Sequence, residues 1–429
     1  MIGAMCTARA KPERTRQHQH ALREGREADL SAEMARGTVG AAKAVDLTDP
    51  ACFEGGFPHD VFAFLRAEAP VWFQRPGEGM AEGFWVVSRH DDCVAAAGDT
   101  RLHVAHRAGR AALDAMADER YAGLRQLLGP ALSPAAMRGI EDEVRWTAEQ
   151  LVTAAVRRGR ADVVAELAGV LAFQTMARVL GVPDKDRRAL FELVAASFDE
   201  DGDAGAAHDA IRSYGKKLIG QKRAHPGADL VSKAVHAHVK HALEDGADPS
   251  TDRLAPAEVL RLFDLLVTAG IDTTRDAIAA GVLALAEHPE QWRVVADDRS
   301  QLRHATEEIL RWASPTPCDW RYALADTEVG GVPIPAGDRV TLWWASANRD
   351  ESVFVDPEVF DVRRDPNRHL AFGSGPHSCF GATIARLEVR LFLDVLLDHV
   401  GGIQVATPVE WVCSSEHSSL RRLDVTFDQ

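Results

Sequence analysis

The most constraining feature of the chain is one long, largely apolar helical segment, which runs from about Pro256 to Glu287. Proline suits the first turn of a helix, and His288-Pro289 marks the end of the segment. At ~1.5 Å per residue such a helix is nearly 50 Å long, enough to cross a whole domain. The chain must therefore fold around a central helix that other elements surround.

The middle of this helix carries a polar group, Asp272-Thr273-Thr274-Arg275-Asp276, inside an apolar stretch. Polar groups buried in a helix cost stability unless partners satisfy them. Either the group faces water on one turn of the helix, or it forms part of a functional site in the core.

The rest of the chain is typical of a helical protein with a small sheet. Of its 429 residues, 46% are hydrophobic and 26% charged, which is ordinary globular composition. Apolar residues recur at three- and four-residue spacing from about 91 to 315, and a further helix is expected from about 382 to 399. Short β-rich runs lie near 70–88 and 326–344, and the chain closes on a loop and strand. The predicted fold class is mainly α with a minor antiparallel β-sheet.

Charge and cysteine content exclude several classes of protein. The net charge is −15, which disfavours a nucleic-acid binder, and no apolar run predicts a membrane span. None of the six cysteines is spaced C-x-x-C, which indicates a reducing compartment and a cytoplasmic protein. Residues 1–45 are polar, lack the apolar core of a secretion signal and are expected to form a disordered tail. Residues 46–429 are expected to form a single domain.

The segment FGSGPHSCFG at 372–381 is the most specific motif in the chain. Its three glycines allow the backbone to fold tightly around Cys379. Because a helix is expected to begin just after this cysteine, the first helical N–H groups would face the sulfur. These conditions favour a thiolate.

This segment resembles the haem-thiolate loop of the bacterial cytochromes P450, and three further matches follow in the family's order. Ala269 to Thr274 resembles the central-helix motif A-G-x-D-T-T, and Glu308 with Arg311 resembles the E-x-x-R pair. With Arg364, that pair would form the family's Glu–Arg–Arg network. Arg321 matches an arginine that binds a haem propionate. The resemblance covers about 46–429 and implies a P450 fold, with the long helix crossing a haem.

The resemblance also implies a site. Haem b would be the cofactor, with Cys379 as its iron ligand, and Asp272 and Thr273 would be catalytic, the hydroxyl positioning water and the carboxylate relaying protons. Tyr121 stands where the family usually has a histidine that contacts a propionate. The remaining cofactor-binding residues that the resemblance implies are Arg125, Ala269, Gly270, Phe372, Gly373, His377 and Gly381.

The implied activity is that of a monooxygenase that uses O2 to oxidise a lipophilic small molecule. No G-x-G-x-x-G follows a strand, so electrons would come from a separate ferredoxin and ferredoxin reductase. The sequence favours tailoring of a secondary metabolite over sterol or fatty-acid oxidation. A haem-binding module without turnover is the alternative from another class. The substrate pocket would be lined by the 86–112 loop, Val267, Ala269, and residues 316–319 and 414–418.

Overall fold

The structure is a computed structural model that describes residues 46–77, 80, 82–105, 118–197, 203–237 and 254–428, with the backbone alone at 105 and 118–121. The predicted tail at 1–45 and part of the predicted pocket loop at 86–112 lie outside these residues.

Helices make up most of the described chain, as predicted. They are α1 (His59–Glu68), α2 (His90–Gly98), α3 (Asp118–Leu128), α4 (Pro134–Arg138), α5 (Glu141–Arg158), α6 (Gly169–Leu180), α7 (Asp184–Ser197), α8 (Ala204–Ala224), α9 (Leu230–His236), α10 (Pro256–Glu287), α11 (Pro289–Asp297), α12 (Leu302–Ala313), α13 (Trp344–Ala347) and α14 (Ala382–His399). A π-helical turn at Val163–Ala168 leads into α6, and 3₁₀ turns occur at Pro50–Phe53, Gly129–Leu132, Arg299–Gln301 and Gly375–His377.

The strands are short. They are β1 (Val71–Gln74), β2 (Phe84–Val87), β3 (Leu102–Ala105), β4 (Arg160–Asp162), β5 (Asp319–Ala323), β6 (Thr327–Val329), β7 (Val332–Ile334), β8 (Arg339–Leu342), β9 (Gly402–Val405), β10 (Glu410–Trp411), β11 (Leu420–Arg422) and β12 (Asp424–Asp428). The largest sheet has the order β1-β2-β8-β5-β3, and a three-stranded sheet has the order β4-β12-β9.

The predicted minor sheet is confirmed, and its pairings are antiparallel except for one. Strands β2 and β8 run parallel, with Val86 opposite Thr341. They lie far apart in sequence, so a long crossover joins them instead of a tight turn. This pairing holds the N-terminal part of the domain against the segment that follows α12.

Helix α10 crosses the core as the sequence predicts, with the same bounds. The Ala255 backbone N–H donates to Glu258 Oε2 at 2.7 Å and so caps its first turn. The helix contacts α6, α8, α12 and α14, and residues 276–285 are all buried. Because the second half of α10 is enclosed on every side, the middle of the helix has a fixed position.

Within the part of the chain that the structure describes, one helical segment is long and apolar enough to cross a membrane. It is Val163–Leu180, and 72% of it is buried inside the domain. Burial of that kind is typical of the core helix of a folded domain.

Candidate active site

The loop around Cys379 is closed by its own backbone. The Cys379 N–H donates to the Phe372 carbonyl at 2.7 Å, and the Ser378 N–H donates to Gly375 at 3.1 Å. Gly375 has φ +73, and a Cβ there would lie 2.7 Å from the Ala97 carbonyl of α2. Only glycine permits both this backbone angle and this approach. The loop therefore presents its cysteine in one fixed orientation, just before α14 begins at Ala382.

The Cys379 side chain is exposed to solvent, although neighbouring protein atoms partly desolvate its thiol. Burial raises the pKa of this thiol above its ordinary value, and the charge of Asp319 acts in the same direction. The Gly381 N–H and the cations Arg125 and Arg386 act in the opposite direction. The thiol thus has a backbone donor and two cations at hand, which would stabilise a thiolate ligand.

Arg125 lies next to this loop, as predicted. Its Nη1 atom donates to the Ser378 carbonyl, and its guanidinium lies 5.7 Å from the centre of the Phe380 ring. Tyr121 belongs to the same helix, α3, but its side chain lies outside the described part of the structure. The predicted propionate contact of Tyr121 stays a prediction.

Arg321 is buried on β5, and its side chain has an unusual environment. Its Nη1 atom donates to the Trp320 carbonyl at 2.9 Å, which is the one hydrogen bond of the Arg321 side chain within the described residues. It forms no ion pair within those residues. A buried guanidinium is costly unless an anion accompanies it. Arg321 is therefore suited to bind an anionic group, as its sequence position predicts.

The central helix exposes one narrow stripe opposite its buried faces. Leu265 and Ala269 are exposed and Thr273 is partly exposed, at a spacing of four residues. The Thr273 hydroxyl donates to the Ala269 carbonyl at 2.8 Å, so its oxygen stays in place on this stripe. Phe380 packs against the core cluster that contains Ile271, so the cysteine loop and the middle of α10 share one cluster.

Asp272 is buried beside this stripe. Its Oδ1 atom lies 2.9 Å from Arg275 Nη1, so the two side chains form an ion pair. The geometry is not that of a hydrogen bond, and Oδ1 accepts none from the described residues. Burial raises the pKa of Asp272 to about 7, against the opposing charge of Arg275 and with a further increase from Asp276. A carboxyl group with a pKa near neutrality can both hold and release a proton.

Two predicted residues, Gly270 of the cofactor site and Val267 of the substrate pocket, have surroundings that the sequence did not indicate. A Cβ at Gly270 would lie 2.4 Å from Met176 Cε, so the absence of a side chain leaves room for the end of the flexible Met176 side chain of α6. The sequence predicts that Val267 lines the pocket, but this residue is 1% exposed within the same core cluster and does not reach an accessible surface. Ala269 is exposed and does line such a surface.

The E-x-x-R pair and Arg364 form the predicted network. Arg311 donates two hydrogen bonds of 2.8 Å to Glu308, and both side chains are fully buried. Arg364 Nε lies 3.2 Å from Glu308 Oε2. Glu308 also accepts from the Asp361 N–H and from Asn367 Nδ2. The network fixes the segment that leads into the cysteine loop.

A second network beside the cysteine loop was missed by the sequence analysis. Arg386 donates to both carboxylate oxygens of Glu307 and lies 4.4 Å from the centre of the Phe372 ring. His369 Nε2 lies 3.0 Å from Glu307 Oε2. Burial alone would raise the pKa of Glu307, but these two partners lower it to about 2. Only the position of Arg386 on α14 hinted at this network, seven residues after Cys379.

These residues fit a thiolate-ligated haem. An accessible thiol with a nearby backbone donor suits the iron, and the cations Arg125 and Arg321 suit carboxylate groups at the edge of the ring. The partly exposed His377, Phe372, Gly373 and Gly381 belong to the same loop.

Comparisons with known proteins identify the family. The cytochrome P450 family model matches residues 170–400. The chain is 37% identical to cytochrome P450 126 of Mycobacterium tuberculosis, over 90% of this chain and 98% of that protein. It is similar in structure to P450 OxyD, which is involved in the biosynthesis of vancomycin-type antibiotics, with a TM-score of 0.80 and 29% identity. That likeness covers 90% of this chain and 99% of OxyD.

Two further relatives carry names that state an activity. The chain is 33% identical to the steroid C26-monooxygenase of Rhodococcus jostii, over 83% of this chain and 79% of the relative. It is 36% identical to the methyl-branched lipid omega-hydroxylase of M. tuberculosis, over 85% and 90%. The chain belongs to the cytochrome P450 family. It is a haem-dependent monooxygenase of the bacterial type, as the sequence predicts.

Proposed function

We propose that this monooxygenase hydroxylates an aliphatic position of a lipid or steroid-like substrate. The observation that carries the proposal is the stripe on α10, where the small or apolar Leu265 and Ala269 lead to the hydroxyl of Thr273. Such a surface suits a hydrocarbon that ends beside a polar reaction centre. The names of the relatives at 33% and 36% identity agree with this substrate class.

The chemistry that the haem supplies is activation of O2, which electron donation from a thiolate ligand favours. Cys379 would be that ligand, held by its loop and stabilised by the Gly381 N–H. Arg125 and Arg321 would hold the propionates. The Arg125 guanidinium lies beside the cysteine loop, and the Arg321 guanidinium lies on β5 of the largest sheet. His377 would assist them from the same loop.

Thr273 and Asp272 would deliver protons on the side of the site that α10 forms, which we call the distal side. The Thr273 hydroxyl is anchored to the Ala269 carbonyl, so its oxygen can accept a hydrogen bond from an ordered water. Asp272, with its pKa raised to about 7, would supply the proton to that water. Its pairing with Arg275 keeps it at the buried edge of the stripe.

Electrons would come from a ferredoxin and its reductase, docked near the cysteine loop. The cation Arg125 beside that loop would attract an acidic partner. We also propose that the protein is cytoplasmic, with residues 46–429 as a single domain that follows a disordered tail at 1–45.

A spectral titration of the ferric protein tests the substrate class. A methyl-branched fatty acid and a 3-keto sterol should each convert the haem to the high-spin form, and product should then form with NADPH and a surrogate ferredoxin pair. Product analysis should show a hydroxyl group on an aliphatic chain. Failure of both probes to bind would contradict the lipid assignment.

Tailoring of a secondary metabolite is the second candidate, which the likeness to OxyD favours at 29% identity. A panel of terpenoid, polyketide and peptide probes in the same titration separates the two. Saturable binding of such a probe together with failure of the lipids would favour tailoring.

A further inference from the structure

Asp272 is one member of a buried cluster that contains two carboxyl groups and one cation. Arg275 lies between them, with Nη1 2.9 Å from Asp272 Oδ1 and Nε donating to Asp276 Oδ1 at 2.9 Å. The Asp276 side chain is 1% exposed and the Asp272 side chain 10%. If both carboxyl groups were ionised, the buried cluster would carry a net negative charge, which is costly. One retained proton removes that charge.

The hydrogen bonds of the cluster are unequal. Asp276 accepts from Arg275 Nε and, at its other oxygen, from the Ser419 hydroxyl. Asp272 Oδ1 accepts no hydrogen bond within the described residues. Hydrogen bonds to the charged form of an acid favour ionisation. Asp276 is therefore the better place for the negative charge, and Asp272 the better place for the proton.

We propose that Asp276 and Ser419 are positioning residues for Asp272, which keep the shared proton of the cluster on the Asp272 carboxyl group. This inference rests on the proposed role of Asp272 as the distal proton donor. Burial raises the pKa of both acids, with Arg275 opposing the increase at each and Ser419 opposing it at Asp276 alone.

Another charge that acts on this pair is that of His417, a basic group on the loop between β10 and β11 that acts on Asp276. Several charged side chains of the neighbouring π turn, α6, α12, α14 and β11 pair with residues outside the cluster. These pairs are Glu166 with Arg158, Arg178 with Glu143, Glu308 with Arg311, Arg386 with Glu307, Arg390 with Glu141, Asp394 with Arg145, and Arg422 with Asp424. Glu388 of α14 is buried against Thr175.

The backbone holds Ser419 in place. The Val412 N–H donates to the Ser419 carbonyl at 2.9 Å, and the Ser418 N–H donates to the Pro315 carbonyl at 2.9 Å. The residue whose hydroxyl selects the ionised acid directly follows residues 414–418, which the sequence predicts to line the substrate pocket.

Infrared difference spectroscopy of the substrate-free protein tests the inference without turnover. The C=O band of a protonated carboxyl group should vanish as the pH rises through about 7, and Asp272→Asn should remove that band. In Ser419→Ala, Asp276 loses its donor and takes the proton, so the Asp272 band should vanish about one pH unit lower. Ser419→Thr should restore the wild-type titration. Glu388→Gln identifies the band of the other buried acid.

The pH profile of product formation provides a second readout. In Ser419→Ala and Asp276→Asn, the basic limb of the profile should move to lower pH by a similar amount. Ser232→Ala is the matched control. The buried Ser232 hydroxyl also donates to a carboxylate, that of Asp229 at 3.0 Å, but neither residue belongs to the cluster. This variant should leave the profile unchanged.

The two proposals fail in different ways. A Ser419→Ala protein that keeps both the wild-type infrared titration and the wild-type pH profile would overturn the inference. If instead Asp272→Asn keeps the wild-type rate of turnover, the role of Asp272 in turnover is wrong. In that case the infrared titration still decides which acid holds the proton.

Discussion

Replacing Glu308 by glutamine should destabilise the protein more than almost any other single change of one charge. The carboxylate is fully buried and accepts five hydrogen bonds from four neighbours, Arg311, Arg364, Asn367 and the Asp361 N–H. An amide cannot neutralise the Arg311 guanidinium, which is also fully buried. Breaking a buried ion pair from one side costs about 3–5 kcal/mol. That is a large share of the ~5–15 kcal/mol by which domains are stable.

Urea unfolding followed by circular dichroism measures this loss, with Glu307→Gln as the matched control. Glu307 is the preceding residue on the same helix and is also ion-paired, but its side chain is 24% exposed. Its replacement should cost less than that of Glu308, because the side chain of its partner Arg386 is 40% exposed and solvent screens the pair. Equal urea midpoints for Glu308→Gln and Glu307→Gln would refute the claim that burial of the Glu308 network causes the larger loss of stability.

The pH dependence gives a further check. Burial would raise the pKa of Glu308, but Arg311 and the other donors lower it below its ordinary value. The stabilisation from ionised Glu308 is thus complete above the pKa of an unfolded glutamate, and it disappears as the pH falls through the lower folded value. The difference in the free energy of unfolding between wild type and Glu308→Gln should stay constant near neutral pH and become smaller only in acid.

Three further predictions address the site. Cys379→Ser should lose the thiolate signature from the ferrous–CO spectrum, whereas Cys93→Ala should keep it, and a variant at 379 with an unchanged spectrum would contradict the ligand assignment. Thr273→Ala should still bind substrate and consume NADPH but release more hydrogen peroxide per product, and Asp272→Asn should slow turnover by about 10²-fold or more; an unchanged product-to-NADPH ratio in Thr273→Ala would exclude its role. Gly270→Ala should change the free energy of unfolding by less than about 1 kcal/mol in the wild type, because the better helix propensity of alanine is offset by displacement of the flexible Met176 Cε that its Cβ meets, and it should gain up to about 1 kcal/mol in a Met176→Ala background. Urea unfolding of these four proteins measures the effect, and an equal effect in both backgrounds would contradict the contact with Met176.

The helical architecture was predictable because its signals are local. Proline at 256 and His288-Pro289 define the ends of α10 in the sequence, and the structure has the same bounds. The parallel pairing of β2 with β8 could not be predicted, since it joins segments that no local pattern connects. Strand β3 was missed because only four residues, Leu102–Ala105, form it inside a stretch of helical spacing.

The candidate site was predictable where one motif carries the whole geometry. The cysteine loop is such a case, because the glycines and the start of α14 act within a few residues of Cys379. Contacts between distant segments were missed, as with Glu307 and Arg386, because the position of Arg386 after Cys379 does not indicate which acid it pairs with.

The same distinction separates the two sides of the site. On the cysteine side, a tight loop fixes Cys379, the proposed ligand, so the proposed chemistry depends on residues that the motif already names. On the distal side, the motif names Asp272 and Thr273, yet the charge of Asp272 depends on Arg275, Asp276 and a serine 147 positions further along the chain. A relative could therefore keep the A-G-x-D-T-T motif and still hold its proton differently. The sequence motif identifies the acid, and the packing around it determines the pH at which that acid can act.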